Sequence, residues 1–296
     1  MKLTGVFAPI PTPFDERDRA DTARLRKALK RWLKTPLTGF VVLGSTGEGV
    51  LVDEDEASRV MAAARDVVPK KRTFIVGTGR ESTRSAVGAA KRAGKLGADA
   101  VLVRTPGFYK EQMTTEAFVR HYTAVADASP VPVLLYNFTA VTGVNITADA
   151  VARLAEHPNI AGIKESGSDM AQVSAFLDAT PRASFAVIAG SAPTLFPALA
   201  LGALGAILAV AGVAPELCVR IYDAVRAGRY DEARELQKRL TPLARLVTTA
   251  HGVPGLKAAM DLAGYRGGPP RMPLTPAPPE AVDQIRAELA HLREAV

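Results

Sequence analysis

Short apolar runs recur along the chain, each followed by a longer stretch in which apolar and polar residues alternate at helical spacing. The runs are Val6 to Ile10, Phe40 to Leu43, Thr73 to Gly77, Ala100 to Arg104, Val131 to Asn137, Ile160 to Lys164, Phe185 to Ala189 and Ala206 to Val210. They are nearly continuous in apolar character, as strands covered on both faces are. The helix-like stretches between them are Asp21 to Lys34, Asp53 to Val68, Ser82 to Leu96, Thr115 to Ala128, Thr147 to Glu156, Asp169 to Ala179 and Ala192 to Leu201. Strand and helix alternate without two-residue hairpin signals, so the sheet is expected to be parallel. Eight such units close into an α/β fold of the (β/α)8 TIM barrel type, with a C-terminal helical extension. Residues 1–214 would form the barrel and carry the active site. Residues 215–296 would form the extension, with helices at Pro215 to Ala227, Tyr230 to Ala250, Pro254 to Ala263 and Glu280 to Ala295, the last after a Gly/Pro-rich link at Gly264 to Pro279.

Charge and composition remove several alternatives. From Ala183 to Pro215 there is no charged residue, but Pro193, Pro197, Gly202, Gly205 and Gly212 cut the stretch into pieces. Two buried strands and their crossover account for it, and no membrane span is expected. The net charge of +7 directs attention to nucleic acid, and the densest basic cluster is Arg24, Arg26, Lys27, Lys30, Arg31 and Lys34. Leu25, Ala28, Leu29, Trp32 and Leu33 are interleaved at helical spacing, so the cations form the solvated face of an amphipathic helix. No nucleic-acid partner is expected, although a positive field still concentrates small anions. The single Cys218 cannot form an internal disulfide and reads as packing. Met1-Lys2-Leu3-Thr4 leads into the first strand without a secretory h-region, so a cytoplasmic protein is expected and the Asn-x-Thr triplets at Asn137 and Asn145 read as chance sequons. His121, His157, His251 and His291 lack ligand spacing, and Asp53 to Glu56 sit in one helix turn, where they offset the dipole. No metal is expected.

The residue that stands apart is Lys164, at the end of the sixth run, Ile160-Ala161-Gly162-Ile163-Lys164-Glu165-Ser166. An ammonium is seldom buried unless it is paired. Either Lys164 meets a carboxylate such as Glu165, or it is an amine kept for nucleophilic attack. Active sites of such barrels lie at the C-terminal ends of the strands. There Tyr136, ending strand five, would stand beside Lys164 as a proton-transfer partner. Strand two ends in Gly44-Ser45-Thr46-Gly47-Glu48-Gly49, a loop whose amides and hydroxyls suit a carboxylate or phosphate. Gly77-Thr78-Gly79 lacks the remainder of a dinucleotide fingerprint and reads as a turn before a cap at Ser82.

Three pieces in order, Gly44 to Glu48, Leu135-Tyr136-Asn137 with Thr142-Gly143, and Gly162 to Ser166, resemble the pyruvate-dependent Schiff-base aldolases related to dihydrodipicolinate synthase and N-acetylneuraminate lyase, over essentially the whole chain. The resemblance implies that Lys164 forms an imine with a 2-oxo acid such as pyruvate and that Tyr136 moves protons at the bond made or broken. It implies that Ser45 relays protons to a tyrosine of a neighbouring subunit, here Tyr109, in a homotetramer. Ser45 and Thr46 would hold the substrate carboxylate, with Gly190 and Ile207 lining the site, and no cofactor would be needed. One departure bears on the substrate. The synthases carry an arginine directly before the Thr-Gly, where this chain has Val141, and an aliphatic side chain cannot hold a carboxylate as a guanidinium does. Lys164-Glu165-Ser166, Glu156 to Ile160, and Gly252 to Lys257 with Gly264 to Pro269 look closer to 4-hydroxy-2-oxoglutarate aldolase, in which the serine matching Ser166 faces the substrate. The expected activity is therefore aldol cleavage of 4-hydroxy-2-oxoglutarate or an analogue to pyruvate and an aldehyde. The synthase reaction, a 2-keto-3-deoxy sugar-acid aldolase and a 2-oxo-acid-binding barrel without turnover are the alternatives.

Overall fold

The computed structural model describes residues 3–181 and 183–294. Residues 1 and 2, and Ala295 at the end of the expected last helix, lie outside the described residues. Eight parallel strands close a barrel in chain order: β1 (Gly5–Pro9), β2 (Gly39–Val42), β3 (Thr73–Gly77), β4 (Ala100–Arg104), β5 (Val133–Asn137), β6 (Ile160–Glu165), β7 (Ala186–Ala189) and β8 (Gly205–Ile207), with β8 paired back to β1. Side chains alternate inward and outward along each strand. Phe7, Val41, Ile75, Leu102, Leu134, Ile188 and Ile207 pack in the barrel interior. At the alternate positions Val6, Phe40, Phe74, Val101, Val133 and, on β6, Ile163 join the cluster beneath the helices. Both faces are apolar for that reason.

The crossover helices are α1 (Thr22–Trp32), α2 (Glu54–Arg65), α3 (Thr83–Lys95), α4 (Thr115–Ala128), a single turn α5 (Thr139–Thr142), α6 (Ala148–Ala155), α7 (Met170–Ala179) and α8 (Leu195–Leu201). Asp21, Asp53, Ser82, Thr114, Thr147 and Asp169 each accept a hydrogen bond from a first-turn amide, so helix starts fall where capping chemistry placed them. Then come α9 (Pro215–Arg226), packed on β1 and α8, α10 (Tyr230–Arg245), α11 (Gly252–Leu262) and α12 (Pro279–Glu294).

Several bounds differ from the sequence reading. The eighth strand is expected at Ala206 to Val210, yet it ends at Ile207, and Ala209–Gly212 turns as a 3-10 helix. The indole of Trp32 donates to the carbonyl of Gly212 at 2.8 Å and draws that segment toward α1. Strand five starts at Val133, since Pro132 has no amide for a ladder. The stretch Tyr230 to Ala250 is not one α-helix. It passes into a π-helical turn at Leu246–Ala250, where Thr248 Oγ1 and Thr249 Oγ1 donate to carbonyls four residues back, at 2.5 and 3.2 Å. Among the described residues no helix is long and apolar enough to cross a membrane.

Candidate active site

Tyr136 and Lys164 are register partners of β5 and β6, near the C-terminal ends of the two strands. Tyr136 belongs to the interior cluster, and Lys164 Nζ lies 4.2 Å from the centre of its ring. Lys164 is 5% exposed. Glu165, the rival partner in the sequence, belongs to the opposite face of the strand. Its carboxylate accepts from Asn137 Nδ2 at 2.7 Å, Gln172 Nε2 at 2.8 Å and the amide of Gly167 at 2.5 Å. Burial raises the Glu165 pKa above the ordinary carboxylate range despite these donors. Strand alternation thus answers the question the sequence left open: Lys164 is buried among the described residues without a carboxylate partner.

The Glu165 network also ties the site together. Asn137 Nδ2 donates to Asn145 Oδ1 at 2.7 Å, Asn137 Oδ1 accepts from the amide of Ile146 at 3.0 Å, and Asn145 Nδ2 donates to Gln172 Oε1 at 2.7 Å. The ends of β5 and β6, the segment after α5 and the start of α7 are joined by groups that are almost all hydrogen-bonded, a rigid arrangement for a buried polar cluster. Sequence reasoning had Asn137 and Glu165 in the motifs beside Tyr136 and Lys164 but missed the network that joins them to Asn145 and Gln172. For Asn145 the signal was the second of the two Asn-x-Thr triplets, set aside as chance sequons, and for Gln172 there was none.

Ser45 Oγ donates to the phenol oxygen of Tyr136 at 3.4 Å, which brings together the loop after β2 and the end of β5. That loop is a tight turn in which the amides of Glu48 and Gly49 donate to the carbonyls of Ser45 and Gly44, both at 3.1 Å. Its positive φ values fall at Leu43 and Glu48. Gly49 is required by packing instead, as a Cβ there would lie 2.0 Å from the carbonyl oxygen of Leu43. Thr46 follows Ser45 in the same half-exposed turn.

Gly190 follows β7, and its amide donates to the carbonyl of Glu165 at 2.6 Å. A Cβ on Gly190 would sit 2.9 Å from Lys164 Cε and 2.1 Å from Ser166 Oγ. Lys164, Ser166 and Gly190 therefore share one small space, and Ser166 Oγ is buried with no hydrogen-bond partner among the described residues. Ile207 is 1% exposed in the barrel interior. Tyr109 is not brought to this group within one chain. It is 70% exposed on the loop after β4, its ring edge-on to Phe108 at 5.1 Å. Glu81 holds that loop by accepting from the amides of Gly107 and Phe108 at 3.0 Å each. Val141 is 63% exposed on α5. No group of three or more His, Cys, Asp or Glu residues among those described could hold a metal ion.

An amine in an apolar lining, beside a phenol and a hydroxyl, can add to a carbonyl and pass protons outward. The comparisons with known proteins agree with that chemistry. The sequence profile of the dihydrodipicolinate synthetase family matches residues 2–292. The chain is 33% identical over 293 residues to 4-hydroxy-tetrahydrodipicolinate synthase from Exiguobacterium sp., covering 99% of each. It is 35% identical to the synthase of the same name from Methanothrix thermoacetophila, covering 98% of this chain and 97% of the other. A crystal structure of dihydrodipicolinate synthase from Thermotoga maritima superimposes with a TM-score of 0.93 at 31% identity, covering 98% of each chain. These relatives bear the synthase name, and none of them supports the closeness to 4-hydroxy-2-oxoglutarate aldolase expected from the motifs around Lys164 and Gly252. Matched from end to end in sequence and in backbone, with a buried lysine and tyrosine at the mouth of a closed barrel, the chain belongs to the dihydrodipicolinate synthetase family, whose members are enzymes.

Proposed function

We propose that the protein makes or breaks a carbon–carbon bond next to the ketone of a 2-oxo acid, with pyruvate held as an imine on Lys164. The observation that carries this is the buried Lys164, without a carboxylate partner among the described residues, against the ring of Tyr136. The neutral amine attacks the ketone carbon, and water leaves to give an iminium that acts as an electron sink. In the condensing direction, loss of a C3 proton gives the enamine, which attacks an aldehyde, and Tyr136 delivers a proton to the new alkoxide. In the cleaving direction, Tyr136 takes the hydroxyl proton as the C3–C4 bond breaks, and the enamine is reprotonated and hydrolysed. Ser45 passes protons from Tyr136, while the turn at Ser45 and Thr46 takes the carboxylate and Ser166, Gly190 and Ile207 shape the space around it.

The names of the relatives favour condensation with aspartate semialdehyde, the 4-hydroxy-tetrahydrodipicolinate synthase reaction. One observation favours a second reading: Val141, exposed where the synthases carry arginine, offers no charge to that aldehyde's carboxylate. Cleavage of a 4-hydroxy-2-oxo acid is the alternative, and the aliphatic Val141 suits a 2-keto-3-deoxy acid, whose aldehyde half is uncharged, better than 4-hydroxy-2-oxoglutarate, whose aldehyde half carries a carboxylate. Borohydride with pyruvate should add the mass of a reduced pyruvate imine to Lys164 and to no other lysine, and an unlabelled Lys164 would refute the mechanism. Pyruvate consumption with aspartate semialdehyde, set against pyruvate release from 4-hydroxy-2-oxoglutarate, then decides between the two reactions.

A further inference from the structure

The turn that carries Ser45 and Thr46 is held in place by the far end of the chain. Glu48, at the close of that turn, has φ 53° and a side chain that is 1% exposed. A buried carboxylate is costly unless charged and hydrogen-bonding groups surround it. Lys257 of α11, as deeply buried, places Nζ 2.5 Å from Glu48 Oε1 and donates to the carbonyl of Pro269 at 2.8 Å. The amide of Arg271 donates to Glu48 Oε2 at 2.8 Å. The Arg271 guanidinium then reaches the carbonyl of Leu51 at 2.9 Å and both carboxylate oxygens of Glu56 in α2, at 2.5 and 3.0 Å. Phe14, from the loop after β1, lies 4.5 Å from Lys257 Nζ and 4.1 Å from the Arg271 guanidinium carbon, measured to its ring centre.

None of these groups takes part in the chemistry above, and a clasp for the C-terminal segment alone would not have to end on this turn. Glu48 is bonded by its amide to the carbonyl of Ser45, and Thr12 Oγ1 pins the intervening Gly47 carbonyl at 2.6 Å. With Gly49 packed against the Leu43 carbonyl, the turn has no slack, so a shift of Glu48 is passed to Ser45 and Thr46 through the backbone. We propose that Glu48, Lys257 and Arg271 are positioning residues, through which the C-terminal segment sets the Ser45–Thr46 turn where it receives the carboxylate of the 2-oxo acid. This rests on the reading of that turn given under the proposed function.

The test is borohydride labelling of Lys164 at graded pyruvate concentrations, in the full-length protein, its Glu48→Gln variant and the double variant Glu48→Gln/Lys257→Met, with melting temperatures alongside. In Glu48→Gln the half-saturating pyruvate concentration should rise about tenfold, while the limiting labelling rate stays within about threefold, the pattern of lost ground-state binding. The double variant leaves no orphaned charge and should recover melting temperature. Its pyruvate requirement should stay raised, because the turn has lost its anchor. A pyruvate requirement that follows melting temperature back to the wild-type value, or that never changes in either variant, would overturn the proposal. An unlabelled wild type removes the imine reading and this proposal together, whereas a labelled wild type matched by both variants removes the positioning role alone.

Discussion

Single side chains carry both the chemistry and part of the pH response. Tyr136→Phe removes the phenol but keeps the ring against Lys164, so turnover should fall by about 10²–10⁴, the usual range for a lost general acid–base group, while pyruvate still labels Lys164. Gly190→Ala would force a methyl group toward Lys164 Cε and Ser166 Oγ, and labelling itself should slow. His121, on α4, is 6% exposed, with Nδ1 2.8 Å from the Thr83 hydroxyl and Nε2 buried without a hydrogen-bond partner among the described residues. Burial, with Glu81 opposing and Arg104 assisting, lowers its pKa from 6.5 to about 4. The unfolded chain therefore takes up a proton that the folded one refuses as pH falls below 6.5. The stability this residue lends is complete above pH 6.5 and is lost toward pH 4. Between pH 7 and 4.5 the wild type should lose about 2–3 kcal/mol more than His121→Phe in urea titrations, and equal losses would show that His121 does not titrate with unfolding.

Elements place these groups through close approaches that a side chain would block. On β6, two residues before Lys164, a Cβ on Gly162 would lie 2.2 Å from the backbone oxygen of Ala186 on β7. Gly162→Ala should separate the two strands, and both melting temperature and Lys164 labelling should fall together. At the start of α2, Asp53 accepts from the amide of Glu56 at 2.7 Å. Asp53→Ala should cost about 1 kcal/mol in chemical denaturation, as a lost N-cap does, with labelling unchanged. The contrast between the two variants separates strand geometry, which aims Lys164, from helix capping, which does not.

At the scale of the molecule, the barrel mouth exposes Phe108, Tyr109 and Val141, at 77%, 70% and 63%. A phenol so open is free to serve the Ser45–Tyr136 pair of a neighbouring subunit, the role that the family resemblance implies for Tyr109. Tyr109→Phe should then lower turnover at least tenfold with the sedimentation coefficient unchanged. Wild-type turnover in that variant would remove Tyr109 from the site. The C-terminal helices belong to the same scale, because Lys257 and Arg271 reach across to the turn after β2.

By itself the sequence determined the eight strand–helix units, most helix starts, and the pairing of Lys164 with Tyr136 at strand ends. These follow from local periodicity, from capping residues and from the rule that neighbouring strands of a parallel barrel end side by side. Only the tertiary structure decided that Glu165 faces away from Lys164 and into the Asn137–Asn145–Gln172 network, and that Glu48 meets Lys257 and Arg271. It alone ended strand eight at Ile207. A buried ion pair between residues more than 200 positions apart leaves no local pattern. A polar network is recognisable only when its donors and acceptors converge in space, where each costs free energy unless the others are present.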